Sequence, residues 1–569
     1  MKTPKNGKVL HIRNKQFLLS RASDVLKKVY PLSGKMLLDR ILKEDNPREL
    51  IQSLPQEDFF WLVKKVGDND CLAVLEMASR DQWQYLLDME LWRRDRLSLD
   101  QAFQWLERLV QADPDKLSGW LFGKGQAFAY FYFSKSIQVV IKEEEETPKP
   151  DEDFIAFDGI HYFSVIDKRH KERIEEILRS MAEYDIERYR SLLLGLSGVL
   201  PAEVEENMYR MRNIRMAEHG FLPFDEALSI YAPLDAGKIS SEGPIEKDLS
   251  FPDEKIRSLV PLSPLQHVED PKNLLMKTFS KMSDSLLLDG IRLEFAGLCN
   301  QILSADGTVV EDIETLIKTC RKAAGYLNLT LEKLCGEDLA FAESLLRNNS
   351  LVSFFRVGFG LALKLKWEAE AWVKKSWFFG HGLEFGFWGG DWGGTLKGLL
   401  ENKPLFYVSP KKGGGYRDFE KIAELDECGR LIKRLGRVDR LLARLSGLYP
   451  LEEGVLQLPD LTFQCLLFNL WARQVLKLEP CFSGISPAQA REFFGRLRAG
   501  EDKPPYRVSA FKQNFIRDFV SFVPSLEAED EKALKETLSL VWEEFVEEYQ
   551  WVSAGDLDGR FTKFILITP

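Results

Sequence analysis

The 569 residues exceed what one ordinary hydrophobic core accommodates, so about three or four domains are expected. With 45% hydrophobic and 29% charged residues, the composition is globular and excludes an intrinsically disordered chain. The net charge of −11 argues against a binder of duplex nucleic acid.

At the N-terminus, "MKTPKNGKVLHIRNKQFLL" is basic but has no continuous apolar run before a small-residue cleavage site, so no signal peptide is expected. Three helix starts follow, at Ser53 ("SLPQEDFFWL"), Ser79 ("SRDQWQYLLD") and Ser98 ("SLDQAFQWLE"). Each reads Ser-x-x-Gln, the spacing at which a serine caps the third amide of a helix and the glutamine reaches back. Between the first two, Gly67 supplies a stop and Asp70 a new cap. Short amphipathic helices in such close succession predict a superhelix or irregular bundle over 1–125. In "ELWRRDRL", Trp92, Arg93, Arg94 and Arg96 form a candidate docking patch for an anion or peptide. A buried tryptophan with helix-end salt bridges is favoured over that patch.

From Gln126 the pattern turns aromatic and β-branched, and the acidic run "EEEETPKPDED" reads as solvated linker. "FIAFDGIHYFSVID" places two β-prone runs around Asp158-Gly159, which predicts a hairpin. His161 and His170 lie near Asp158 and Asp167, but ordinary surface histidines are favoured over a metal cluster. Ile174, Ile177, Leu178 and Met181 recur at helical spacing, and "AEVEENMYRMRNIRMAEHG" reads as a helix ended by Gly220. Residues 126–234 are thus a small β-element plus helices, and Pro- and Ser-rich 235–272 is a linker.

A central helical domain is expected over 273–401. Its most apolar stretch, 351–367, carries Arg356, Lys364 and Lys366 and is too short to span a bilayer. Within it, "FFGHGLEFGFWGGDWGG" (378–394) invites comparison with phosphate cradles. Gly380-x-Gly382-x-x-x-Gly386 has one residue too many for the dinucleotide fingerprint and follows a helix-like run, so a packed corner is favoured. Its ionisable side chains, His381, Glu384 and Asp391, are the candidates should it bind anything. A Gly- and Pro-rich connection (402–419) leads to a helical domain over 420–569, where Leu534, Leu538, Val541, Phe545 and Tyr549 form one stripe.

"LIQSLPQEDFFWLVKKVG", "QWQYLLDMELWRRDRLSLDQAFQWLERL" and "MRNIRMAEHGFLPFDEALSIYAPL" resemble an uncharacterised family of large helical bacterial proteins, with 205–234 the most distinctive segment. That resemblance implies a helical bacterial protein and brings no catalytic residues. More locally, 40–110 is similar to the intracellular superhelical domain of MgtE-type magnesium transporters, whose membrane helices have no counterpart here.

The fold expected is mainly α, superhelical or irregularly bundled, with a small β-hairpin insertion. No catalytic, cofactor or metal-ligating residue is assigned: the seven cysteines are scattered singly, and neither a GxSxG elbow nor H-E-x-x-H occurs. The leading functional expectation is a non-catalytic cytoplasmic scaffold or regulatory protein without a cofactor. It would bind another protein or itself, without nucleic acid or membrane insertion. The alternatives are an enzyme or nucleotide- or ion-responsive protein with its site near 378–417, and a divalent-cation sensor.

Overall fold

The computed structural model describes residues 32–141, 153–239, 273–307, 312–498, 503–506, 511–523, 527–557 and 562–568. Most of the expected linker, 240–272, lies outside them. The chain divides into two compact units, Met1–Val357 and Gly358–Pro569.

The first unit begins with α1 (Gly34–Leu42), α2 (Pro47–Ser53), α3 (Gln56–Val66), α4 (Leu72–Met77) and α5 (Arg80–Glu90). Ser79 closes the full capping box at α5: its hydroxyl accepts from the Gln82 amide, and the Gln82 side chain accepts from the Ser79 amide. Ser53 does not cap α3. Its hydroxyl donates to the Leu50 carbonyl at 2.7 Å, and Pro55 takes the cap position. The cause is the proline, which holds Leu54 extended (ψ 141°) and so delays the next helix by two residues. Gly67 ends α3 at φ +99°, but Cys71, not Asp70, occupies the cap of α4.

A tight ribbon follows, β1 (Trp92–Arg93) antiparallel to β2 (Arg96–Leu97), then α6 (Leu99–Ala112), α7 (Pro114–Leu121) and α8 (Gln126–Ser136). Here Ser98 caps the Gln101 amide. The aromatic stretch from Gln126 forms α8, and only its β-branched end, β3 (Ile137–Ile141), is extended. β3 pairs with β4 (His161–Val165) from Ile137 opposite Val165 to Ile141 opposite His161. The expected hairpin is corrected accordingly. The chain does turn at Gly159 (φ +74°), but the run before it offers β4 a single bridge, Ile155 to Phe163, whereas β3 offers five paired residues.

Next come α9 (Lys171–Tyr184), α10 (Ile186–Gly195), α11 (Pro201–Ala217), α12 (Phe224–Ala227), α13 (Leu274–Lys281), α14 (Ser285–Asp306), α15 (Ile313–Cys335) and α16 (Leu339–Asn348), while α17 (Leu351–Val373) includes the division after Val357. On α9 the expected face, Ile174, Ile177, Leu178 and Met181, is buried.

The second unit contains α18 (Trp377–Gly380), a 3-10 turn (Phe385–Trp388), α19 (Gly390–Leu400), β5 (Phe406–Val408) antiparallel to β6 (Gly415–Arg417), and α20 (Ile422–Ser446). It closes with α21 (Glu453–Leu456), α22 (Phe463–Val475), α23 (Pro487–Leu497), α24 (Lys512–Ser521) and α25 (Ala528–Tyr549). The α25 stripe is wholly buried, and Phe545 stacks on Phe468 with ring centroids 4.2 Å apart. Among the described residues the sheets are three two-stranded antiparallel pairs, so the fold is mainly α.

Candidate ligand-binding site

Helix α5 ends in a buried polar anchor. Glu90 pairs with Lys64 of α3 at 2.8 Å and accepts from the Trp105 indole at 3.3 Å, and burial pushes its carboxyl above the ordinary value. That anchor fixes where the β1–β2 ribbon starts. Arg94, the first residue of its two-residue loop, has φ +58°, a left-handed backbone that costs a β-carbon residue about 1 kcal/mol.

Helix α11 clamps this ribbon. Glu205 accepts from the Leu97 amide at 2.9 Å and from Arg96 at 3.1 Å. The Arg212 Nε donates to the Asp88 carbonyl at 2.6 Å, and Arg215 grips the Asp88 carboxylate with two bonds of 2.7 and 2.8 Å. Between ribbon, α11, the 221–224 segment and the end of α14 lies a cavity of about 330 Å³. Its walls include Trp92, Arg93, Arg94, Tyr209, Arg212, Asn213, Phe221, Phe224, Ser304 and Gly307. The Trp92 and Tyr209 rings are 5.6 Å apart, Arg212 lies over Trp92 at 5.9 Å, and Arg94 over Phe224 at 6.0 Å. Burial lowers the pKa of Arg212, with Asp88 working against that shift, so a guanidinium sits largely desolvated at the cavity wall. Among the described residues, none of Arg93, Arg94 and Arg212 makes an ion pair; the Arg93 Nη1 donates to the Glu90 and Trp92 carbonyls.

Beyond Asp88 a second cavity, of about 440 Å³, is lined by Tyr85, Lys124, Arg215 and His219 among others. Three of its charged groups are paired: Lys124 with Asp81, Arg215 with Asp88, and His219 with Glu57 at 2.6 Å. Burial disfavours the charged imidazole of His219, but the Glu57 carboxylate outweighs it and holds the pKa above the ordinary value. The His219 carbonyl accepts from Asn300 of α14 at 2.6 Å. Here the backbones nearly touch: Gly220 (φ +79°) is so close to α14 that a β-carbon on it would stand 2.8 Å from the Gly297 Cα.

Of the sequence candidates, Trp92, Arg93 and Arg94 thus share one cavity, whereas Arg96 is turned to Glu205. Tyr209, Arg212, Asn213, Phe221 and Phe224 were not singled out, although all fall in the distinctive 205–234 segment. In the second unit, the 378–394 stretch turns from α18 through the 3-10 turn into α19. A β-carbon on Gly393 would come within 2.2 Å of the Phe385 carbonyl, and one on Gly394 within 2.7 Å of the Tyr407 ring. Phe387 and Trp388 are buried, and Trp392 stacks on Phe463 at 5.2 Å. Buried Asp439 accepts from the Trp377 and Phe378 amides, and burial keeps its carboxyl above the usual range despite those bonds. His381 and Asp391 have separate partners, the Trp377 carbonyl and the Ser409 hydroxyl, and exposed Glu384 precedes the 3-10 turn.

His161 pairs with Asp158, which Arg190 also holds, while Asp167 bonds Arg169 and His170 stacks on Phe103. Among the described residues no group of three or more His, Cys, Asp or Glu is placed to hold a metal ion, and no helix is long and apolar enough to cross a membrane.

No curated protein and no solved structure matches the chain, so nothing supports the local likeness of 40–110 to the magnesium-transporter domain. A model described as "Family of unknown function (DUF6178)" matches residues 14–568. That match spans nearly the whole chain, which therefore belongs to the DUF6178 family of unknown function.

Proposed function

We propose that this protein is a non-catalytic regulatory binding protein. Its first unit captures a small anionic ligand in the cavity of Trp92, Arg93, Arg94 and Arg212 and relays the bound state to another protein or a second copy of itself. One observation carries the reading. Three arginines without ion pairs among the described residues converge on an aromatic-walled cavity in a chain of net charge −11. An incoming anion meets no carboxylate already paired with Arg93 or Arg94 among the described residues. Arg94 adds support, since a strained backbone at a binding wall is often kept for what the side chain does. The cytoplasm is the compartment we favour, because seven free cysteines suit a reducing environment.

Calorimetric titration of the full chain with pyrophosphate and with citrate, at low and raised salt, tests this. Saturable binding that salt weakens is expected, with at least about a ten-fold loss in an Arg93→Ala/Arg94→Ala double variant. Absence of binding by both anions, or undiminished binding by the double variant, overturns the reading.

A further inference from the structure

The cavity's charge, walls and size together constrain what it holds. A lone carboxylate carries one charge and is satisfied by a single guanidinium fork. Three guanidiniums surround this cavity, which matches the roughly −1.5 to −2 charge and three acceptor oxygens of a phosphate monoester. Two of them lie over aromatic rings, Arg212 over Trp92 and Arg94 over Phe224. Stacking of this kind leaves the in-plane N–H edges of Arg94 available for an anion, whereas Arg212 spends its Nε on the Asp88 carbonyl and its Nη1 on Asn213, and offers its charge and the other Nη. Arg93 is steadied from behind by the Glu90 and Trp92 carbonyls.

The remaining wall is apolar with a polar fringe. Phe224 is 37% exposed, large for a phenylalanine, and offers ring surface to a planar body. Asn213 and Ser304 add an amide and a hydroxyl for its polar edge. A volume of about 330 Å³ suits a small molecule and not a polymer segment. Resting on the binding role proposed above, we infer that the ligand is an organic phosphate with a planar ring body, of the mononucleotide class.

The test titrates the full chain with AMP, GMP, adenosine, inorganic phosphate and benzoate, beside the pyrophosphate and citrate titrations. One or both monophosphates are expected to bind at least about ten-fold more tightly than inorganic phosphate, adenosine or benzoate. The Arg93→Ala/Arg94→Ala variant should lose at least ten-fold toward the monophosphate, and Phe224→Ala should weaken the monophosphate while leaving pyrophosphate unchanged. All three positions are at least partly exposed, and unchanged melting temperatures would show the variants folded. If pyrophosphate and citrate bind through the arginines but neither monophosphate surpasses phosphate, this inference falls and the anion-binding role stands. Benzoate binding as tightly as AMP overturns the phosphate assignment. Monophosphate binding that ignores the arginine substitutions places the ligand elsewhere and also overturns it. If no anion binds, both readings fall.

Discussion

Asp88 is 4% exposed and takes two hydrogen bonds from Arg215, while its carbonyl takes one from Arg212. Removing its carboxylate costs the two bonds to Arg215, whose side chain is 40% exposed and can be taken up by water. Asp88→Ala is expected to cost about 1 to 2 kcal/mol, measured by chemical denaturation. His219 makes a pH-dependent contribution. Because Glu57 raises its folded pKa above the ordinary 6.5, the folded protein holds the proton more tightly than the unfolded chain. The stabilisation is complete below the unfolded value and fades as pH rises through the folded one. The stability gap between the natural protein and His219→Gln should therefore be wider at about pH 6 than at about pH 8, by denaturation at both. An equal gap at both values would show that the Glu57 pair contributes no proton linkage.

At the scale of elements, caps and glycines separate pattern from geometry. Ser79→Ala removes a full capping box and should cost about 1 kcal/mol, whereas Ser53→Ala, with the same local motif, should stay within about 0.5 kcal/mol. Equal melting shifts in the two would contradict the assigned caps. In the glycine stretch, Gly393→Ala forces a β-carbon onto the Phe385 carbonyl and should destabilise by more than about 2 kcal/mol. Gly390→Ala meets nothing within 4 Å and should be neutral or stabilising by up to about 1 kcal/mol. The α9 and α25 faces were legible because helical period survives burial on one side. The Ser53 cap was misread because Pro55, two residues on, decides where α3 begins. The β3–β4 pairing was hidden because its strands are separated in sequence, and a local Asp-Gly signal cannot report a more extensive distant partner.

At the scale of the molecule, the two compact units predict two calorimetric unfolding transitions. Asp88→Ala should lower one and Gly393→Ala the other; a single transition lowered by both would make the chain one cooperative unit. The same scale explains why the cavity was only partly legible. Trp92, Arg93 and Arg94 stood out as a local cluster, but Tyr209 and Arg212 join them from more than 100 residues away. Their contribution depends on Glu205, Arg212 and Arg215 all clamping α11 to α5 and the ribbon. No periodicity encodes such a crossing.

The near-contact of Gly220 with Gly297 gives these two glycines unequal evolutionary freedom. Position 297 opens on nothing within 4 Å, so drift there to alanine is tolerated sterically. Position 220 is barred twice, by its left-handed φ and by the neighbouring Cα, and a replacement would pry α14 away from the end of α11. Since Ser304 of α14 and Arg212 of α11 both line the cavity, an inherited change at Gly220 would shift its walls without touching any residue that lines them. Loss of binding could thus arise in a lineage whose lining residues all remain intact.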